Sequence, residues 1–186
     1  MIKNQIRGIG IDDCPFDLKR DKHTYLLGVI YRGNNILVNV LKTEIEIDGL
    51  EATDKISNMI RNSKYYDQLR VIFLSGVTFG GFNIVNIKEL YAKLEIPVIV
   101  IMDREPDFQS IKSALKNLSY PDLRWRFILN AGQLYSFQNK ERRGKIFFQF
   151  TGVTHDVAVN LINNFQLKSM IPEPLRVAHI IAKIFK

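Results

Sequence analysis

Ile6-Arg7-Gly8-Ile9-Gly10-Ile11-Asp12-Asp13 is the stretch that decides the fold. Isoleucines alternate with arginine and glycine until the chain meets two carboxylates, the pattern of a strand that ends at Asp12-Asp13. Phe16 to Thr24 is polar and reads as a loop. Tyr25 to Tyr31 predicts a second strand and Ile36 to Ile47 a third, in which Ile45 and Ile47 alternate with Glu44 and Glu46. Arg32-Gly33-Asn34-Asn35 joins them as a turn, because glycine and asparagine accept positive φ. The chain therefore opens as a three-stranded antiparallel meander.

Beyond it the pattern changes. The connector Asp48-Gly49-Leu50-Glu51-Ala52-Thr53-Asp54 leads to Ile56, Met59, Ile60 and Ser63 at helical spacing. Val71 to Leu74 and Pro97 to Met102 are unbroken apolar runs, as expected for strands covered on both faces. A helix over Ile87 to Leu94 separates them, and Phe108, Ile111, Ala114, Leu115 and Leu118 mark another. Arg124 to Leu129 and Lys145 to Phe150 read as shorter strands, and Thr154 to Phe165 as a helix. In the last segment Pro172 and Pro174 stiffen the entry. Pro174 suits a first helical position. Leu175, Ala178, Ile181, Ala182 and Phe185 share one face there, with His179 beside it. A meander followed by strand–helix alternation predicts one α/β domain over residues 1–186, built on a mixed sheet.

The composition fits that domain. The chain has 186 residues, 46% hydrophobic and 24% charged, enough for a sizeable core and ordinary for a globular protein. A formal net charge of +7 favours an anionic partner such as nucleic acid. The single cysteine, Cys14, excludes an internal disulfide and fits a reducing compartment. Its acidic neighbour Asp13 raises the thiol pKa and argues against a nucleophile. The N-terminus carries no signal-like apolar region, and no apolar run is long enough to span a bilayer. The expectation is a cytoplasmic protein without a membrane partner; the oligomeric state stays open.

Ligands of open α/β sheets gather at the carboxyl ends of strands. Here those ends carry Asp12 and Asp13, then Asp48, then Ser75 with a glycine-rich loop, then Asp103 and Arg104. Adjacent strand residues point to opposite faces, so one of Asp12 and Asp13 faces a site while the other caps a turn. Oxygen ligands converging with an imidazole suit Mg²⁺ or Mn²⁺. The plainer alternative is that Asp48-Gly49 makes a turn and the remaining carboxylates are caps. In Ser75-Gly76-Val77-Thr78-Phe79-Gly80-Gly81-Phe82-Asn83 the glycines permit close backbone approach, and Phe79 and Phe82 could stack on a base. The spacing matches neither a Walker A loop nor a dinucleotide fingerprint. Arg142-Arg143-Gly144-Lys145 and Lys19-Arg20 could contact phosphates.

The first strand, the strand end Val29-Ile30-Tyr31-Arg32-Gly33, the Ser75-to-Asn83 loop and the segment from Pro172 to His179 together resemble an uncharacterised archaeal family of endonuclease V-like proteins. The resemblance runs in order over nearly the whole chain. It implies a ribonuclease H-like fold: a central mixed sheet whose first three strands are antiparallel, flanked by helices. It also implies a metal site for cleaving nucleic acid, using Mg²⁺ or Mn²⁺. Carried over by motif, Asp12 and His179 become catalytic and metal-site residues. Asp48 is the first choice for the second acidic ligand, with Glu51 and Asp54 also open. The family usually reads Leu-Asp-Gly at the fourth strand end, whereas this chain reads Leu74-Ser75-Gly76. Ser75 in the metal shell implies weak binding of the ion. No Pro-Tyr-Ile-Pro-like wedge is found. The favoured expectation is a nucleic-acid-binding protein with a degenerate or weakened metal site, contacting its ligand through Phe79, Gly80, Gly81, Arg142, Arg143 and Lys145. The alternatives are an active Mg²⁺- or Mn²⁺-dependent endonuclease and a protein-interaction domain with a vestigial site.

Overall fold

The first three strand patterns translate directly into β1 (Arg7–Asp13), β2 (His23–Arg32) and β3 (Ile36–Glu46). The computed structural model describes residues 5–138 and 144–185. After the meander come α1 (Ala52–Arg61), β4 (Leu69–Ser75), the short hairpin β5 (Thr78–Phe79) and β6 (Asn83–Ile84), α2 (Ile87–Leu94) and β7 (Val98–Met102). The rest is α3 (Phe108–Leu115), α4 (Pro121–Asn130), β8 (Tyr135–Phe137), β9 (Ile146–Thr151), α5 (His155–Phe165) and α6 (Glu173–Ala182). Among the described residues the main sheet has seven strands in the order β3-β2-β1-β4-β7-β9-β8. β2 runs antiparallel to both β1 and β3; β1, β4 and β7 run parallel; and β9 runs antiparallel to both β7 and β8.

The alternation of side chains along the central strands sorts the core into two layers. Ile9, Ile11, Ile72, Leu74, Val98 and Val100 pack with α1 and α2 on one face. Val71, Phe73, Ile99 and Ile101 pack with α5 and α6 on the other. β1 gives the second face no large apolar side chain, only Gly8, Gly10 and, at its end, Asp12. A Cβ on Gly10 would stand 2.4 Å from the backbone nitrogen of Leu175 and from the carbonyl carbon of Pro174. The glycine lets the first turn of α6 rest directly on the strand.

Two expectations change. Arg124 to Leu129 lies in helix α4, not in a strand. Its alternating apolar residues suggested a period of two, but the fully buried pair is Arg124 and Ile128, four apart, and Pro121 starts the helix. In α6 Glu173 takes the first helical position and Pro174 the second. The structure also adds β8 and the β5–β6 hairpin, elements too short to leave a periodic signal. No helix among the described residues is long and apolar enough to cross a membrane.

Candidate functional site

The carboxyl ends of β1, β4 and β7 open onto a cleft of about 520 Å³. Asp12, Ser75 and His179 all line it, together with Gly76, Asp103, Arg104, Glu105 and Arg176. Asp12 is the last residue but one of β1 and points to the α6 face, as Gly8 and Gly10 do. His179 reaches it from α6: Nδ1 lies 3.0 Å from Asp12 Oδ2, with the imidazole largely exposed to the cleft and the carboxylate buried. An ionised carboxylate only accepts, so Nδ1 carries a proton, and in the neutral ring Nε2 is the nitrogen that keeps its lone pair. The second carboxylate oxygen, Oδ1, accepts from the Asp13 backbone N–H at 3.1 Å. Burial raises the Asp12 pKa, an effect opposed by the His179 hydrogen bond, the Asp13 N–H and the Ser75 hydroxyl, which favour the charged form.

Asp13 faces the other side of the sheet, where Oδ2 accepts from the Gly80 N–H at 2.7 Å. Burial pushes its carboxyl up to about 6 despite that bond, with the neighbouring Asp12 charge adding to the rise. The two adjacent carboxylates thus divide into one that faces the cleft and one that ties down a loop. Burial, then Asp13 and Asp12, push the Cys14 thiol up to about 11, which keeps it protonated and unreactive.

The acidic residues proposed as a second ligand are elsewhere. β2 lies between β3 and β1, so the end of β3 is displaced about 10 Å sideways from Asp12. Asp48 lines a separate cavity with Glu51, Asp54 and Arg124, and it does not reach the cleft. It sits at φ 54° and works as a brace. Its Oδ1 accepts from Phe82 N–H at 2.7 Å, its own N–H donates to Gly80 O at 2.8 Å, and its carbonyl accepts from Arg124 Nη2 at 2.5 Å. Glu51 accepts from the backbone of Glu46 and Leu50 and from the Asn83 amide. Asp54 is ion-paired with Lys93.

The glycine-rich loop is likewise built inward. Phe79 is fully buried and has no face free for a base. Gly80 packs against Ile45 and Thr24, and a Cβ on Gly81 would collide with Asp48 Oδ1 at 2.4 Å. Gly76 is the glycine of this loop that lines the cleft. Lys145 is exposed and stands just before β9, and the pairing of Met102 with Phe147 puts it at the cleft end of the sheet. Arg142 and Arg143 lie outside the described residues.

Arg124, which the sequence reading passed over, organises this region. It is buried, and its guanidinium donates to the carbonyls of Ser119, Gly49, Phe82 and Asp48. Burial pushes its pKa down. The cleft also has two cations: Arg104 after β7, which the strand-end pattern had placed there, and Arg176 in the first turn of α6, which it had not. The second of these had a signal in the sequence, since Arg176 is three residues before His179 and shares its helix face.

A family model for endonuclease dU matches residues 4–185. The chain belongs to the endonuclease dU family. A UPF0215 protein of Methanosarcina acetivorans is 42% identical over 181 residues, covering 97% of this chain and 91% of that protein. The crystal structure of an Archaeoglobus fulgidus protein superposes with a TM-score of 0.88 at 38% identity, covering 97% of this chain and 98% of that one. Endonuclease V of Ciona intestinalis, crystallised with a DNA containing an inosine followed by a ribo-adenosine, gives a TM-score of 0.64 at 12% identity, with 97% and 86% covered. That likeness establishes a shared fold, and the mixed sheet with its antiparallel opening strands agrees with it. This chain thus shares its architecture with endonuclease V.

Among the described residues no group of three or more His, Cys, Asp or Glu side chains is gathered closely enough to hold a metal ion. The cleft does offer the Asp12 carboxylate, His179 Nε2 and the Ser75 hydroxyl. Nε2 points away from Asp12 while Nδ1 holds Oδ2, so one ion cannot meet both; the Asp12 carboxylate with the Ser75 hydroxyl fits a hard divalent cation which takes its remaining ligands from water and phosphate oxygens, as Mg²⁺ commonly does.

Proposed function

We propose that this endonuclease dU family member is a nuclease-type protein that binds nucleic acid at the cleft, with a metal centre weakened at Ser75. The observation that carries this reading is the hydrogen-bonded Asp12–His179 pair at the meeting point of β1, β4 and α6. Asp12, beside the Ser75 hydroxyl, would hold Mg²⁺ or Mn²⁺, which when bound supplies a Lewis acid and a more acidic water for phosphodiester hydrolysis. Asp12 fixes the imidazole tautomer and directs Nε2 outward. Ser75 contributes a neutral oxygen where a carboxylate would add a charge, so the ion is held by one anionic side chain. Arg104, Arg176 and Lys145 ring the same end of the sheet and suit an anionic backbone. A reducing, cytoplasmic setting fits the single buried thiol of Cys14.

A second reading, an active endonuclease on deoxyuridine-containing strands, draws on the description of the matched family and on the outward Nε2. One experiment addresses both. Wild type and Asp12→Asn are incubated with labelled deoxyuridine- and inosine-containing DNA in Mn²⁺, and binding is followed in parallel by anisotropy. We expect both proteins to bind, with cleavage slow in the wild type and lost in Asp12→Asn. Rapid wild-type cleavage abolished by Asp12→Asn would favour the second reading. Absence of binding at low salt would leave the protein-interaction alternative, and cleavage indifferent to Asp12→Asn would refute the site.

A further inference from the structure

Arg176 is built differently from the other cations of the cleft. Its Nε donates to both carboxylate oxygens of Glu173 at 3.0 Å and its Nη2 donates to Oε2 at 2.7 Å. Glu173 is almost wholly buried, whereas the Arg176 side chain is 36% exposed. Among the described residues Nη1 has no acceptor. The guanidinium is therefore locked in plane along one edge, and its remaining nitrogen is spare. Arg176 and His179 are three residues apart on one helix, with Cβ atoms about 5–6 Å apart, and both line the cleft. A fork held rigid before its ligand arrives loses little side-chain freedom on binding.

We infer that Arg176 is a phosphate-binding residue that grips, through Nη1, the backbone phosphate lying at or next to the Asp12–His179 pair, with Glu173 as the positioning residue that aims it. This rests on the proposed nucleic-acid binding at the cleft and adds the side chain that sets the strand's register there. A lone surface lysine such as Lys145 gives attraction without direction. A braced guanidinium fixes where along the strand the reactive group sits.

The test is a salt titration of binding to a fluorescein-labelled single-stranded deoxyuridine DNA, with wild type, Arg176→Gln, Arg176→Lys and Glu173→Gln. Loss of one phosphate contact lowers the slope of log K against log salt by about 0.7. We expect that drop in Arg176→Gln, with affinity at low salt down about tenfold. Arg176→Lys should keep the slope and recover only part of the affinity. Glu173→Gln should keep the slope too, because the charge remains while its aim is lost. Phenylglyoxal labelling of wild-type Arg176, read by mass spectrometry, should be suppressed by the DNA. That readout stands even if a variant fails to fold. If the wild type binds but Arg176→Gln keeps its slope and affinity, or if bound DNA leaves Arg176 open to labelling, the assignment is overturned and the cleft reading survives. If the wild type itself does not bind, both fall.

Discussion

Ser75 and Asp48 show how much one side chain decides in this molecule. Ser75 ends β4 beside Asp12 and supplies an oxygen without a charge. Ser75→Asp is expected to raise Mn²⁺ affinity about tenfold or more, since a hard cation gains an anionic oxygen. Calorimetric titration of both proteins decides it, and equal affinities with the fold intact would remove position 75 from any metal shell. That Asp12 and His179 come to one cleft could be read from the sequence, because their positions are set locally, by a strand end and by a helix started at a proline-rich entry. The fate of Asp48 could not. Its carboxylate answers to the backbone of Phe82 and its carbonyl to Arg124, and both meet it only through tertiary folding. A strand-end carboxylate looks the same in sequence whether it faces a ligand or braces a neighbouring loop.

At the scale of elements, the connector between β3 and α1 and the β5–β6 hairpin form one unit, held by Arg124 and by Glu51. Burial by itself would push the Glu51 carboxyl up, but the N–H groups of Glu46 and Leu50, its own N–H and the Asn83 amide outweigh burial and hold it below the ordinary range. The folded protein therefore releases this proton more readily than the unfolded chain does. Its contribution to stability is complete above the unfolded value and is lost as pH falls through the folded one. Urea unfolding of wild type and Glu51→Gln should show a gap of about 1 kcal/mol near neutral pH that narrows as the pH falls below the ordinary glutamate range. A gap of equal size throughout would contradict the assignment. The elements with strong periodicity, β1 to β3, α2 and α5, were legible. α4 was not, because Arg124-Trp125-Arg126-Phe127-Ile128-Leu129 satisfies a strand pattern as well as a helix pattern. What selects the helix is Pro121 together with a buried arginine, and an arginine is the residue least expected inside.

For the whole molecule, the two core layers lie on opposite faces of the same strands. Val71 and Phe73 serve one layer, while Ile72 and Leu74 serve the other. Neither layer can be lost without stripping strands that the other needs. A single cooperative unfolding transition is expected, with calorimetric and van't Hoff enthalpies equal. Two resolved transitions would divide the chain into units that the sheet does not suggest. The direct seating of α6 on Gly10 adds an evolutionary and engineering consequence. Where strand and helix touch backbone to backbone, the spacing between Asp12 and His179 does not depend on the volume of an intervening side chain. Substitutions elsewhere in the core can drift without retuning the pair, and a redesign that repacks every other layer should leave its geometry intact. The freedom is gained by forbidding one change: at position 10 even a methyl group would lift the helix and take the imidazole with it.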